Sequence, residues 1–121
     1  MNEEIKIRNV KLEDYAVLDD WWVAHGEQPP ELEQLPDNGL GGIVAVKGDK
    51  MIGAGYLYLT NSSIAYIDAA ISNPHYKGRD RFVIGVMMIR ELVRRAKALG
   101  YKQIETSTSK EGMIKRYEKE K

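Results

Sequence analysis

Apolar and polar positions alternate along Ile5-Lys6-Ile7-Arg8-Asn9-Val10, the period of a half-buried strand. From Leu12 to about His25 the period lengthens to that of a helix. Leu12, Tyr15, Ala16, Leu18, Trp22 and Val23 fall near one face, Glu13 and Asp14 suit the first turn, and Gly26 is the stop. Three prolines punctuate Glu27 to Gly39, which predicts a long loop with one helical turn around Glu31 to Leu35. Gly42 to Val46 and Met51 to Leu59, joined by the turn Lys47-Gly48-Asp49-Lys50, read as a hairpin. Ile64 to Ile71 follows as a third pairing partner, ended by Asn73-Pro74. Gly53 and Gly55, on either side of Ala54, mark a bulge or thin packing. After a short polar loop, a long helix is predicted from about Phe82 to Leu99, stopped by Gly100. Its stripe is Phe82, Ile89, Leu92, Val93 and Ala96, widened by Val83, Val86 and Met87. Tyr101 to Ser107 reads as a further strand, and Glu111 to Lys121 as a short closing helix. A meander followed by a strand–helix–strand unit implies an α/β class, with a mixed sheet and helices over it in one domain spanning residues 1–121.

Composition narrows the chemistry. Cysteine is absent, which excludes a disulfide framework, a thiolate nucleophile and a thiolate zinc site. Two histidines, His25 and His75, do not make a histidine-rich metal centre, so no metal is expected. No apolar run approaches a spanning helix and Met1-Asn2-Glu3-Glu4 does not open a signal peptide, so a cytoplasmic protein without a membrane partner is expected. Net charge is zero, yet it is unevenly divided. Met1 to Pro74 carries 5 Lys/Arg against 12 Asp/Glu, and His75 to Lys121 carries 13 against 6. Such asymmetry suits either ligands of opposite sign on one domain or a nucleic-acid face, or else unevenly charged solvated helices. Arg90, Arg94 and Lys97 share one helical face, but no stacking aromatics accompany them, which argues against nucleic acid.

The stretch from Ile64 to Ala98 carries a resemblance. An apolar strand, then Asn73-Pro74-His75-Tyr76-Lys77-Gly78-Arg79, then a long apolar helix ending in Ala98-Leu99-Gly100-Tyr101, resembles the acetyl-CoA-binding core of the GNAT N-acetyltransferases. The first strand and the hairpin upstream are similar to that family in order, and Met113-Ile114-Lys115-Arg116-Tyr117-Glu118-Lys119 resembles the helix carrying its common tyrosine. The likeness spans nearly the whole chain as an order of elements. The expected fold is therefore the GNAT-like acyl-CoA N-acyltransferase fold. The family usually continues with two more strands, so a chain stopping at Lys121 is expected to lack the final strands. It is then either a fragment, or a sheet completed by a partner chain such as a homodimer mate, or a protein with a reduced acceptor site.

What the resemblance implies can be placed residue by residue. The family motif R/Q-x-x-G-x-G/A aligns with Lys77-Gly78-Arg79-Asp80-Arg81-Phe82, so Lys77 opens the motif and Asp80 and Phe82 stand where it has small residues. Amides at the start of a helix, with Lys77, Arg79 and Arg81 beside them, suit the phosphates of coenzyme A. Asp80 would oppose a diphosphate unless it turns outward or caps the helix. Ala70, Ile71 and Ser72 map to the strand that runs beside the pantetheine arm. The implied reaction is transfer of an acetyl group from acetyl-CoA to a small-molecule or peptide amine. Tyr117 matches the general-acid tyrosine, and Asp68 is the candidate base, with Tyr66 two positions away on the same face. Of Trp21 and Trp22, one is expected in the core and the other in the acceptor pocket, where Glu27, Glu31, Glu33 and Asp37 would favour a cationic amine. The alternative is a catalytically degenerate domain of the same fold that binds a nucleotide-like ligand or a protein partner and transfers nothing.

Overall fold

The computed structural model describes residues 4–106. Five strands form one mixed sheet in sequence order: β1 (Ile5–Asn9), β2 (Gly42–Lys47), β3 (Lys50–Tyr58), β4 (Ile64–Ser72) and β5 (Gln103–Thr106). Neighbours are antiparallel up to β4, and β4 and β5 are parallel. Parallel neighbours need a crossover, and α2 (Arg81–Ala98) supplies it. Helix α1 (Tyr15–Ala24) follows a 3-10 turn at Leu12–Asp14 and ends where Gly26 takes φ 78°. The α/β class and the mixed sheet are as the pattern predicts. The closing helix from Glu111, with Tyr117, lies outside the described residues.

Each face of the sheet holds its own core. Ile43, Ala45, Leu57, Ala65, Ile67 and Ile104 pack against Ile84, Met88, Ile89, Leu92, Val93 and Ala96 of α2. On the other face Val44, Ala54, Tyr56 and Ile71 pack with Leu18, Trp21 and Trp22 of α1. The buried stripe of α2 thus differs from the predicted one at its start. Phe82 and Val83 are 52% and 54% exposed, because the buried stripe starts at Ile84, which is 1% exposed, and they point away from it. The glycine pair does mark thin packing: a Cβ on Gly53 would stand 3.3 Å from Met88 Sδ, and one on Gly55 3.4 Å from Leu92 Cδ1. The proline-rich loop holds two 3-10 turns, Leu32–Gln34 and Pro36–Gly39, rather than one. Pro36 opens the second, and Asp37 and Asn38 carry it through left-handed backbone at φ 52° and 51°. The buried Tyr56 hydroxyl donates to the Gly39 carbonyl at 3.3 Å and ties this loop to the sheet. Burial pushes that phenol up to about 12, so it remains a donor.

Two irregularities shape β4. Gly53 and Ala54 face Ser72 and Ile71, but Tyr56 faces Asp68, so β4 carries one extra residue in this span. Ala69 absorbs it at φ 54°, and its N–H donates to Asp68 Oδ1 at 2.7 Å. Ile67 therefore points into the α2 core, while Ile71, four residues on, points into the α1 core. In an unbroken strand both would share a face.

Charges lock α2 to the sheet edge. Glu91 accepts from Arg94 Nη2 at 2.7 Å and from Arg95 Nε at 2.7 Å, and Arg95 Nη1 reaches Asn9 Oδ1 at 2.7 Å. Hydrogen bonds from Arg94 and then Arg95 hold the Glu91 carboxyl at about 2. A carboxylate depressed on folding contributes stability above its unfolded pKa, and that contribution is lost as pH falls through the folded value. Glu91→Gln is expected to cost about 1 kcal/mol at neutral pH. It should also flatten the decline of stability between pH ~4.5 and ~2, as urea unfolding at several pH values would measure.

Candidate functional site

An opening lies beside β4, next to its described pairs with β5. Their pairing is described from Ile64↔Gln103 to Ile67↔Thr106, and beyond Ile67 the strand β4 pairs only with β3 among the described residues. A cleft of about 840 Å³ occupies this opening. Asp68 to Asn73 form one wall, the first turns of α2 with Phe82, Ile84 and Gly85 form another, and Trp22, His25 and Glu27 reach in from α1. The turn from Tyr76 to Arg79, with Arg81, forms the mouth. His25 Nε2 lies 2.9 Å from the Ser72 carbonyl oxygen, which pins the end of α1 to the end of β4.

The predicted coenzyme residues converge here. Ala70, Ile71, Ser72, Lys77, Gly78, Arg79, Arg81 and Phe82 all line the cleft. Lys77, Arg79 and Arg81 are exposed, and among the described residues none of them forms an ion pair. The first helical bond of α2 runs from Ile84 N to Asp80 O at 2.9 Å, and the Arg81 amide before it donates to the Gly78 carbonyl at 3.4 Å. Gly78 leaves the mouth open. A Cβ there would stand 2.3 Å from the Tyr76 hydroxyl and 2.7 Å from Asp80 Oδ1. This combination of a glycine-containing turn, three cations, the start of a long helix and an adjoining strand fits a diphosphate joined to an extended, hydrogen-bonding arm.

Asp80 behaves differently from the expected cap. It occupies the position before α2, yet its side chain makes no capping bond, and it does not line the cleft. Its Oδ1 accepts from the Tyr76 hydroxyl at 2.5 Å, and its Oδ2 lies 3.0 Å from Lys47 Nζ. Two donors aimed at one carboxylate outcompete a single helical amide. Hydrogen bonds from Tyr76 first and Lys47 second hold this carboxyl below its ordinary range.

The acceptor-side residues divide. Trp21 and Trp22 are both buried in the α1 core, and only Trp22 also lines the cleft. Asp68 lines the cleft but is exposed, unlike the sheet-interior carboxylate that a buried base requires. Tyr66 is exposed and does not line the cleft, whereas its neighbour Ile67, on the other face of β4, does. Glu31 and the acids Glu33 and Asp37 fall elsewhere; the latter two border a separate, more open concavity of about 720 Å³. His25, Tyr76 and Lys47 were not singled out from the sequence. Lys47 reaches Asp80 across 33 positions, a relation that no local pattern carries. The basic helix face is partly spent within the fold, since Arg94 and Arg95 are committed to Glu91. No group of His, Asp or Glu side chains among the described residues can hold a metal ion. No helix among them is long and apolar enough to cross a membrane.

Comparison with known proteins places this geometry. No family model matches the sequence, and no curated protein matches it. Solved structures do match. A GNAT-family acetyltransferase from Streptococcus pneumoniae is 26% identical, with a TM-score of 0.67 over 96% of this chain and 85% of that one. A protein from Mycobacterium tuberculosis, crystallised with CoA and a second ligand, is 19% identical, with a TM-score of 0.75 over 93% of this chain and 70% of that one. A predicted acetyltransferase from Clostridium acetobutylicum, crystallised with acetyl-CoA, is 20% identical, with a TM-score of 0.65 over 96% and 88%. The five-stranded mixed sheet crossed by α2 thus has the fold of the GNAT-family acetyltransferases.

Proposed function

We propose that this chain is an acetyl-CoA-dependent N-acetyltransferase that acts on an amine acceptor. The observation that carries the reading is the cleft beside β4, closed at its mouth by the Gly78 turn and its cations. CoA and acetyl-CoA in two structures of like fold support it. Lys77, Arg79, Arg81 and the first amides of α2 would hold the phosphates, and Ala70 to Ser72 would run beside the pantetheine arm. Bound there, acetyl-CoA supplies a thioester carbonyl that an amine can attack directly.

The chain's own residues then orient the amine and move its proton. Trp22 presents an aromatic surface and Glu27 and Asp68 present negative charge in the same cleft, which favours a cationic acceptor. Asp68, exposed on the strand beside the arm, is the group proposed to take the amine proton, directly or through water. Tyr117, outside the described residues, is the proposed donor to the leaving thiolate. Glycine's replacement by Asp80 and Phe82 at two motif positions favours the second reading, a domain that binds CoA and transfers nothing.

Thermal unfolding with acetyl-CoA, followed by thiol release against an amine panel, tests both. At a hundredfold excess over Kd, a bound ligand stabilises by about 2.7 kcal/mol. A shift with thiol release supports the transferase. A shift without release from any amine supports the binding module, and no shift at all overturns both.

A further inference from the structure

We infer that Lys47 is a positioning residue for the coenzyme: from β2 it draws the Asp80 carboxylate out of the diphosphate cradle at the start of α2. The inference rests on the CoA-binding reading above and extends it to a residue outside the cleft. Asp80 stands directly before α2, where a carboxylate has two natural courses. It can fold back onto the first amides as a cap, consuming the donors a phosphate needs, or it can face the ligand with a like charge. It does neither. Lys47 Nζ lies 3.0 Å from its Oδ2, the Tyr76 hydroxyl donates to its Oδ1 at 2.5 Å, and Lys47 also reaches that hydroxyl at 3.4 Å. The Lys47 ammonium sits 6.0 Å from the Tyr76 ring centroid, so the three side chains form one closed group.

Tyr76 alone does not suffice. Its hydroxyl engages one carboxylate oxygen and leaves the negative charge in place, whereas Lys47 compensates that charge. The pair is only partly screened, with side chains 30% and 29% exposed. Remove the ammonium, and Asp80 keeps an uncompensated charge directly before α2, held by the Tyr76 hydroxyl.

Calorimetric titration of CoA into the purified full-length protein tests this, with melting curves confirming that each variant is folded. Lys47→Met is expected to weaken CoA about tenfold, and Lys47→Arg to retain wild-type affinity. The deciding variant is Lys47→Met with Asp80→Asn, which should recover to within about twofold of wild type. A merely structural lysine would leave that double variant as weak as the single one, and this result overturns the inference. Unchanged affinity in Lys47→Met overturns it too, while leaving the CoA-binding reading intact. Absence of CoA binding by the wild type overturns both. If Lys47→Met does not fold, Asp80→Gly decides: affinity equal to or above wild type supports the inference, and a tenfold loss overturns it.

Discussion

Replacing Gly78 with valine is expected to weaken CoA binding at least about 30-fold, or ~2 kcal/mol, while leaving the fold intact. The expectation follows from space. Any Cβ at this position falls 2.3 Å from the Tyr76 hydroxyl and 2.4 Å from its ring carbon Cζ, closer than real contacts allow. The tyrosine must move, which breaks its hydrogen bond to Asp80 and leaves that carboxylate beside the helix-start amides. Branching at Cβ then adds bulk where backbone and phosphate would meet. Stability should change less than affinity, because Gly78 itself is half-exposed and, of this turn, only the partly buried Tyr76 packs against a core. Calorimetry of CoA binding alongside thermal melting separates the two outcomes. Near-wild-type affinity in a folded Gly78→Val variant would rule out this turn as the phosphate site.

The largest expected effect on stability lies at the junction of β1 and α1. Asp14 is 5% exposed, and its carboxylate accepts from Arg8 Nη1 at 2.8 Å, Arg8 Nη2 at 3.1 Å and the Lys11 amide at 2.8 Å. Burial pushes this carboxyl up, but the Arg8 fork and the Lys11 amide together pull it below its ordinary value. Arg8→Met removes the fork and leaves a buried charge with one amide partner. The expected cost is about 3 kcal/mol, which lowers Tm by roughly 10 °C in a domain of this size. The pH dependence has a definite sign. In the wild type the depressed carboxyl stabilises the fold above its unfolded pKa and stops doing so as pH falls through the folded value. In Arg8→Met burial acts almost alone, so protonation relieves the variant. The stability gap between the two proteins should therefore narrow below pH ~4. A gap that stays constant between neutral and acid pH would show that the loss is one of packing.

Most of the fold could be read from periodicity, because strand and helix patterns report which faces are buried and short turns fix the order. The hairpin, the glycine stops at Gly26 and Gly100, and the crossover to β5 all follow from local chemistry. Phe82 was misplaced because spacing alone left the rotation of the first turn open, and Ile84, two positions on, takes the buried place. The cleft wall at Ala70 to Ser72 and the turn from Lys77 to Arg79 with Arg81 were readable through the order strand, polar turn, helix. What escaped were relations between distant positions. Lys47 with Asp80, His25 with Ser72 and Arg8 with Asp14 each join separate elements, and none of these partners announces the other by spacing. Trp21 and Tyr66 show the converse. Residue type suggested a pocket, but strand alternation and helix rotation decided which aromatic reaches it.

The extra residue at Ala69 makes β4 a strand with two allegiances. Its leading half is wedded to α2 through Ile67, and its trailing half to α1 through Ile71 and the His25 contact at Ser72. Excising that one alanine would restore simple alternation and leave Ile67 and Ile71 on opposite faces, three positions apart, so the sidedness from Ala70 onward would be kept while the kink in the strand is lost. A single left-handed residue thus lets one strand, by counting one position twice, seat a helix on each side of the sheet.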